Sequence, residues 1–273
     1  MLAKLLKYEF KSTSRLILIL YGVLLFMGVV VGGMLRMTGA WSDLFDVETL
    51  GTTARRMLSI LTGGLSGVYG ILIITVFILT LVTIITRFYR NLLGGEGYLM
   101  HTLPVPTWML VTSKLITAFV WMILTTVVAC LSAFLLLLVS GLFGEFLRSV
   151  SWEEFTRMLR EVFDEIPLAT SLFAMVVGTV AGILQFYFAM AIGNLANEHK
   201  VLFSVLAFIG INVVVSLIGN IISLRTILNM DRYLESTSSI NRLLLQNSLL
   251  EAVIAVGFFF GTTLLLQKHL NLS

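Results

Sequence analysis

Charge is scarce in this 273-residue chain: Asp, Glu, Lys and Arg make up only 12% of it, against about 25% in ordinary soluble domains. Cysteine occurs once, as Cys130 inside an apolar run, which excludes a disulfide framework and a thiolate metal cluster. His101, His199 and His269 lie in separate loops without HExxH or other ligand spacing, so no metal site is expected. GxSxG is missing, and so is GxxxxGK followed by Ser or Thr, the loop that cradles nucleotide phosphates. Gly94-Gly95-Glu96-Gly97 is rich in glycine but lacks both the following Lys-Ser/Thr and a preceding strand. The chain is expected to be no enzyme, to hold no cofactor of its own and to bind no nucleic acid. Any ATP it uses must be hydrolysed by another chain.

What is abundant is hydrocarbon. Hydrophobic residues make up 58% of the chain, and its mean hydropathy is +1.00. About 20 apolar residues, rising about 1.5 Å each, are needed to cross about 30 Å of hydrocarbon. Six windows meet that test, at roughly 16–35, 66–86, 115–140, 168–193, 201–223 and 248–267. The expected fold is therefore an all-α integral membrane protein forming one transmembrane domain over 1–273. The opening MLAKLLKYEFKSTSR is too long and too charged for the n-region of a signal peptide, so the first span is expected to stay. The two halves show no visible repeat, unlike many secondary transporters.

Six spans put both termini on one side. Lysine and arginine divide nine to nine between the two sides, so the plain count does not orient the chain. All six lysines, however, fall on the terminal side, in the shorter segments, while acids such as Asp43, Glu153, Asp164 and Asp231 gather opposite. Both termini are expected in the cytoplasm.

Three segments outside the spans carry pattern. In residues 2–14, Lys4, Lys7 and Lys11 form a cationic stripe with Leu2, Leu5 and Leu6 turned away, as in a helix lying on anionic headgroups. Glu9 interrupts the apolar sector; Lys-rich termini can also serve merely to set topology. In 144–167, Ser151 and Glu154 form a capping box. Trp152, Phe155, Leu159, Val162, Phe163 and Ile166 share a face there, and Pro167 ends the helix. That segment reads as a helix on the outer leaflet. The polar segment 224–247 can hold either a short external helix or a re-entrant turn.

Within the spans, Ala174, Gly178 and Gly182 recur at four-residue spacing, as do Gly257 with Gly261 and Gly63 with Gly67. Such spacing lets helix backbones approach where lipid supplies no drive for association. Packing inside the chain is favoured over a subunit contact. Gln185 and Asn212 are expected to hydrogen-bond across helices. Glu251, the one acid in a span, lies near the outer end of its helix and gives thin support to an ion path.

The loop from Arg90 to Lys114, RNLLGGEGYLMHTLPVPTWMLVTSK, is the most structured polar segment. Arg87 and Arg90 close the second span, and Gly94, Gly95 and Gly97 permit a sharp reversal. Residues 98–103 can form a short helix ended by Pro104 and Pro106. Trp108 is placed as an interfacial anchor, and Lys114 opens the third span.

On these residues the chain resembles the permease subunits of ABC-2 type transporters. Their loop runs basic, Glu, Gly, a few residues, Leu, then Leu-Pro, Val or Leu, and a Lys as the third span starts. It maps here onto Arg90, Glu96, Gly97, Leu99, Leu103, Pro104, Val105 and Lys114. EGYLM followed by TLPV strongly resembles the permeases of low-GC Gram-positive bacteria. Arg90 and Glu96 stand farther apart than in the usual pattern, and Pro106 replaces a common Ser.

The resemblance implies an interfacial N-terminal helix, six spans in a bacterial plasma membrane and a coupling helix in the first cytoplasmic loop. It implies a cytoplasmic ATPase partner that binds ATP and Mg, and a second permease subunit, identical or a sister chain. Glu96 would orient the coupling contact, and Tyr98, Leu99 and Met100 would fill the ATPase groove. An ion-coupled secondary transporter and a non-transporting membrane scaffold or sensor subunit are the alternatives.

Overall fold

The computed structural model describes residues 2–44, 52–94, 105–165, 168–196, 198–227 and 237–268. Every regular element among them is helical: α1 (Leu2–Leu44), α2 (Thr52–Phe88), α3 (Thr107–Ser140), α4 (Leu142–Ser149), α5 (Trp152–Glu165), α6 (Leu168–Gly193), α7 (Lys200–Ile227) and α8 (Thr237–Lys268). A π-helical turn, Tyr89–Leu93, follows α2 directly. Six of these helices are long and apolar enough to cross a membrane, one for each predicted window. Leu168–Gly193 coincides with its window; the other five extend past theirs at one end or both, because helix geometry continues through polar residues that hydropathy averages exclude.

The N-terminal segment is helical, but no break separates it from the first span: α1 is one helix of 43 residues. Lys4, Lys7 and Lys11 are exposed along it, Leu2, Leu5 and Leu6 are half-buried, and Glu9 is buried.

The chain groups into two compact units. The first comprises 1–7, 84–119 and 158–273; the second comprises 8–83 and 120–157. All four boundaries along the chain fall inside helices.

In the second unit, the core gathers Ile17, Tyr21, Leu24 and Val31 of α1 with Tyr69 and Val76 of α2 and Trp121 of α3. The α1 positions recur at helical spacing, so they form one stripe. Hydroxyls fasten this core. Tyr21 and Thr125 share a 2.7 Å hydrogen bond, and the Thr125 hydroxyl also lies 3.3 Å from that of Thr80. The Tyr69 hydroxyl donates to Ser132 Oγ at 2.9 Å, and Ser132 donates in turn to the Leu24 carbonyl at 2.9 Å.

Two glycines make this closeness possible. A Cβ on Gly28 would stand 2.6 Å from Ser132 Oγ, and one on Gly32 would stand 2.8 Å from the Leu136 carbonyl oxygen. Gly28 and Gly32 thus dock on Ser132 and Leu136, both pairs at four-residue spacing, which is small-residue packing in its usual membrane form.

In the first unit, α6 packs against both α7 and α8. Phe186 stacks on Phe208 with ring centroids 4.4 Å apart, and Phe188 stacks on Phe258 at 5.3 Å. At the α6–α7 connection, a Cβ on Gly193 would collide with Ser204 Oγ and lie 2.5 Å from the Ser204 backbone nitrogen. His199, in the left-handed region at φ 53, turns the chain into α7.

Candidate functional site

The expected coupling loop is described at its two roots. Glu96, Gly97, Tyr98, Leu99, Met100, Leu103 and Pro104, together with His101, lie outside the described residues.

At the first root, α2 widens into the π-helical turn, where the Gly94 N–H donates to the Tyr89 carbonyl five residues back at 2.8 Å. Single π turns occur often at functional sites in helices. Here the turn lets the consecutive residues Leu92 and Leu93 both be buried, while Arg90 stays exposed. Gly94 then leaves in an extended conformation.

At the second root, the Pro106 carbonyl accepts the Met109 N–H at 2.9 Å in the opening turn of α3. Trp108 is exposed, and Leu110, Val111, Ser113 and Lys114 are buried. The hydropathy pattern puts Lys114 at the start of the third span. Because α3 begins at Thr107, Lys114 instead lies seven residues inside the helix and is only 4% exposed.

One side chain joins the two roots. Tyr187 of α6, itself 1% exposed, stacks on Phe88 with ring centroids 3.8 Å apart and planes 12° from parallel. Its hydroxyl donates to the Lys114 carbonyl at 3.3 Å. Phe88 is the last residue of α2 and is fully buried. The chain entering the loop and the chain leaving it are therefore held on the same ring. The arrangement can hold a loop at a fixed place against a packed helix.

Sequence reasoning missed Tyr187. Its only signal is an aromatic run, Phe186-Tyr187-Phe188, within an apolar span, and such runs are commonplace in lipid-facing helices.

The small residues divide. Gly261 lies against the Phe188 ring, where an added Cβ would come within 2.5 Å, and Gly178 lies against Glu251, whose Oε2 would be 3.3 Å from one. Ala174 is half-buried. A Cβ added at Gly182, Gly257, Gly63 or Gly67 would meet no described atom of another part of the chain within 4 Å. Sequence reasoning passed over Gly28, Gly32 and Gly193, which make the tightest backbone approaches.

Asn212 corrects one expectation. Its side-chain amide donates to the Phe208 carbonyl of its own helix at 2.9 Å, because on an exposed face the nearest acceptor lies one turn back. Gln185 is half-buried and, among the described residues, its Nε2 finds no partner. Thr170 and Asn241 hydrogen-bond through their side chains, linking α6 to α8.

On α5 the capping box forms as the sequence implies. The Ser151 hydroxyl accepts the Glu154 N–H at 3.2 Å, while Glu154 Oε2 accepts the Ser151 N–H at 3.0 Å and its hydroxyl at 2.9 Å. The backbone N–H first, and the hydroxyl second, hold the Glu154 carboxyl below its ordinary range. Trp152 and Met158 are exposed on this helix and Phe155 is half-buried.

Six apolar helices of spanning length define a multi-pass membrane protein. Compared with family models, curated proteins and solved structures, the chain finds no match in any of the three.

Proposed function

We propose that this chain is the membrane-spanning permease subunit of an ATP-driven exporter of the ABC-2 type, resident in a bacterial plasma membrane with both termini in the cytoplasm. Two such subunits, identical or sisters, form the pathway. Each receives force from a separate cytoplasmic ATPase that binds ATP and Mg, through the loop between the second and third spans.

The observation that supports this reading most is the double hold of Tyr187. A loop transmits a push only if its ends do not yield, and both roots here are fastened to one buried ring on α6. Residues 98–103 then act as the coupling helix. Glu96 orients the contact, Tyr98, Leu99 and Met100 fill the ATPase groove, and Gly97, Leu103 and Pro104 shape the turn between Arg90 and Lys114. The N-terminal stripe of Lys4, Lys7 and Lys11 lies toward anionic headgroups.

The test expresses the full chain in its native host and follows the ABC ATPase subunit expected to purify with it. Glu96→Ala and Leu99→Asp are expected to reduce co-purification of that subunit and the ATP turnover stimulated by the permease. If both substitutions leave both quantities unchanged, the assignment fails.

A further inference from the structure

Within the first unit, the facing ends of α2, α6 and α7 line an open-sided cavity of about 340 Å³. Ile85 and Tyr89 line it from α2 and its π turn, Phe186 and Met190 from α6, and Val205 and Phe208 from α7. Its volume falls within the roughly 300–1,000 Å³ typical of small-molecule pockets. Its chemistry is that of hydrocarbon. Its hydroxyl-bearing lining residues are Thr86, Tyr89 and Ser204, the last of which donates to the Lys200 carbonyl at 2.9 Å; the other seven are apolar, a wall suited to a hydrocarbon tail rather than to an ion.

Depth and charge narrow the occupant. Counted along α7, the lining runs from Val201, just after the first helical residue, to Phe208, about 10 Å deeper at about 1.5 Å per residue. Phe186 lies about equally far from the end of α6, so the stacked pair Phe186–Phe208 sits at the deep end by position on both helices. Arg87, Arg90 and Lys200 adjoin lining residues at the shallow end, with Glu198 the one acid among the described residues of 84–94 and 183–208. Over these described segments three cations stand against one acid, and that local excess of positive charge favours an anionic headgroup.

We propose that this cavity binds the acyl tail of an anionic phospholipid from the leaflet on the π-turn side, with its phosphate drawn to Arg87, Arg90 and Lys200. The tail lies between Tyr89 of the π turn and the helices that hold the loop roots. The site does not depend on the permease reading, since it rests on the cavity and its charges alone.

Native mass spectrometry of the purified full chain tests it, with phosphatidylglycerol and phosphatidylcholine of identical tails offered together. Wild type is expected to retain one phosphatidylglycerol in preference to phosphatidylcholine. Arg90→Gln and Lys200→Gln should each lower that preference about fivefold, the share of one basic group near an anionic surface. Val201 and Val205 line the cavity and are 65% and 50% exposed, so V201W/V205W can fill its mouth without displacing core. That double variant should lose the retained lipid with its thermal midpoint unchanged. Equal retention of the two lipids would overturn the proposal. So would full retention by the filled variant, or a non-lipid apolar compound occupying wild type in place of phosphatidylglycerol.

Discussion

Replacing Tyr187 isolates the hold on the loop roots. The residue contributes two separable interactions, a ring stack on Phe88 and a hydrogen bond to the Lys114 carbonyl. Burial itself adds little here, because lipid is as apolar as the protein interior. An aromatic pair contributes about 0.5–1.5 kcal/mol beyond area, whereas hydrogen bonds between membrane helices average about 0.6 kcal/mol. The stack therefore outweighs the hydrogen bond. Tyr187→Phe should cost about 0.6 kcal/mol and Tyr187→Leu about 1–2 kcal/mol, or roughly threefold against roughly five- to thirtyfold in local opening. Hydrogen exchange read over 89–94 and 107–114 in lipid nanodiscs reports both roots at once. Leu should accelerate exchange in both segments, and Phe only slightly. Acceleration at one root alone, or Phe matching Leu, refutes the picture of a shared clamp.

Three further outcomes follow, two from the structure and one from the placement of lysines in the sequence. Gly193→Ala forces a Cβ to within 2.5 Å of the Ser204 backbone nitrogen, which no rotamer change relieves. It should destabilise by about 1–3 kcal/mol, and Ser204→Gly should not rescue it; an unchanged thermal midpoint for Gly193→Ala contradicts the close approach. The lowered Glu154 carboxyl contributes stability to α5 that is complete above the range of an unfolded glutamate and is lost as pH falls through the lowered value. Acidification followed by circular dichroism should fray that helix in wild type, and Glu154→Gln should flatten the transition; identical titrations would remove the capping box as its cause. Finally, a fluorescent protein fused at either terminus should fold and fluoresce in the bacterial cytoplasm, and alkaline phosphatase in its place should be inactive. The reverse pattern would invert the topology.

The six spans are legible in the sequence because about 20 apolar residues in a row are rare outside a membrane. The capping box is legible for a different reason: Ser151 and Glu154 act over three residues and need no distant partner. Packing is not legible in the same way. Small residues at four-residue spacing recur in several spans, and only the partner helix decides which copy is used. Gly28 and Gly32 meet Ser132 and Leu136, more than a hundred residues away, whereas a Cβ added at Gly63 or Gly67 would meet no described atom of another part of the chain within 4 Å. The depth of Lys114 is hidden because a hydropathy window trims the polar first turns of α3. Tyr187 is invisible because its importance lies in two contacts, at Phe88 and Lys114, about a hundred and about seventy residues distant in the chain.

The most direct measurement of the central claim is a photoreactive amino acid placed at Leu99 of the full chain and activated in native membranes. The account predicts a covalent product with a cytoplasmic chain that carries the GxxxxGK-Ser/Thr loop and hydrolyses ATP, diminished by Glu96→Ala. Adducts confined to lipid or to this chain itself, with that ATPase present and untouched, would contradict it.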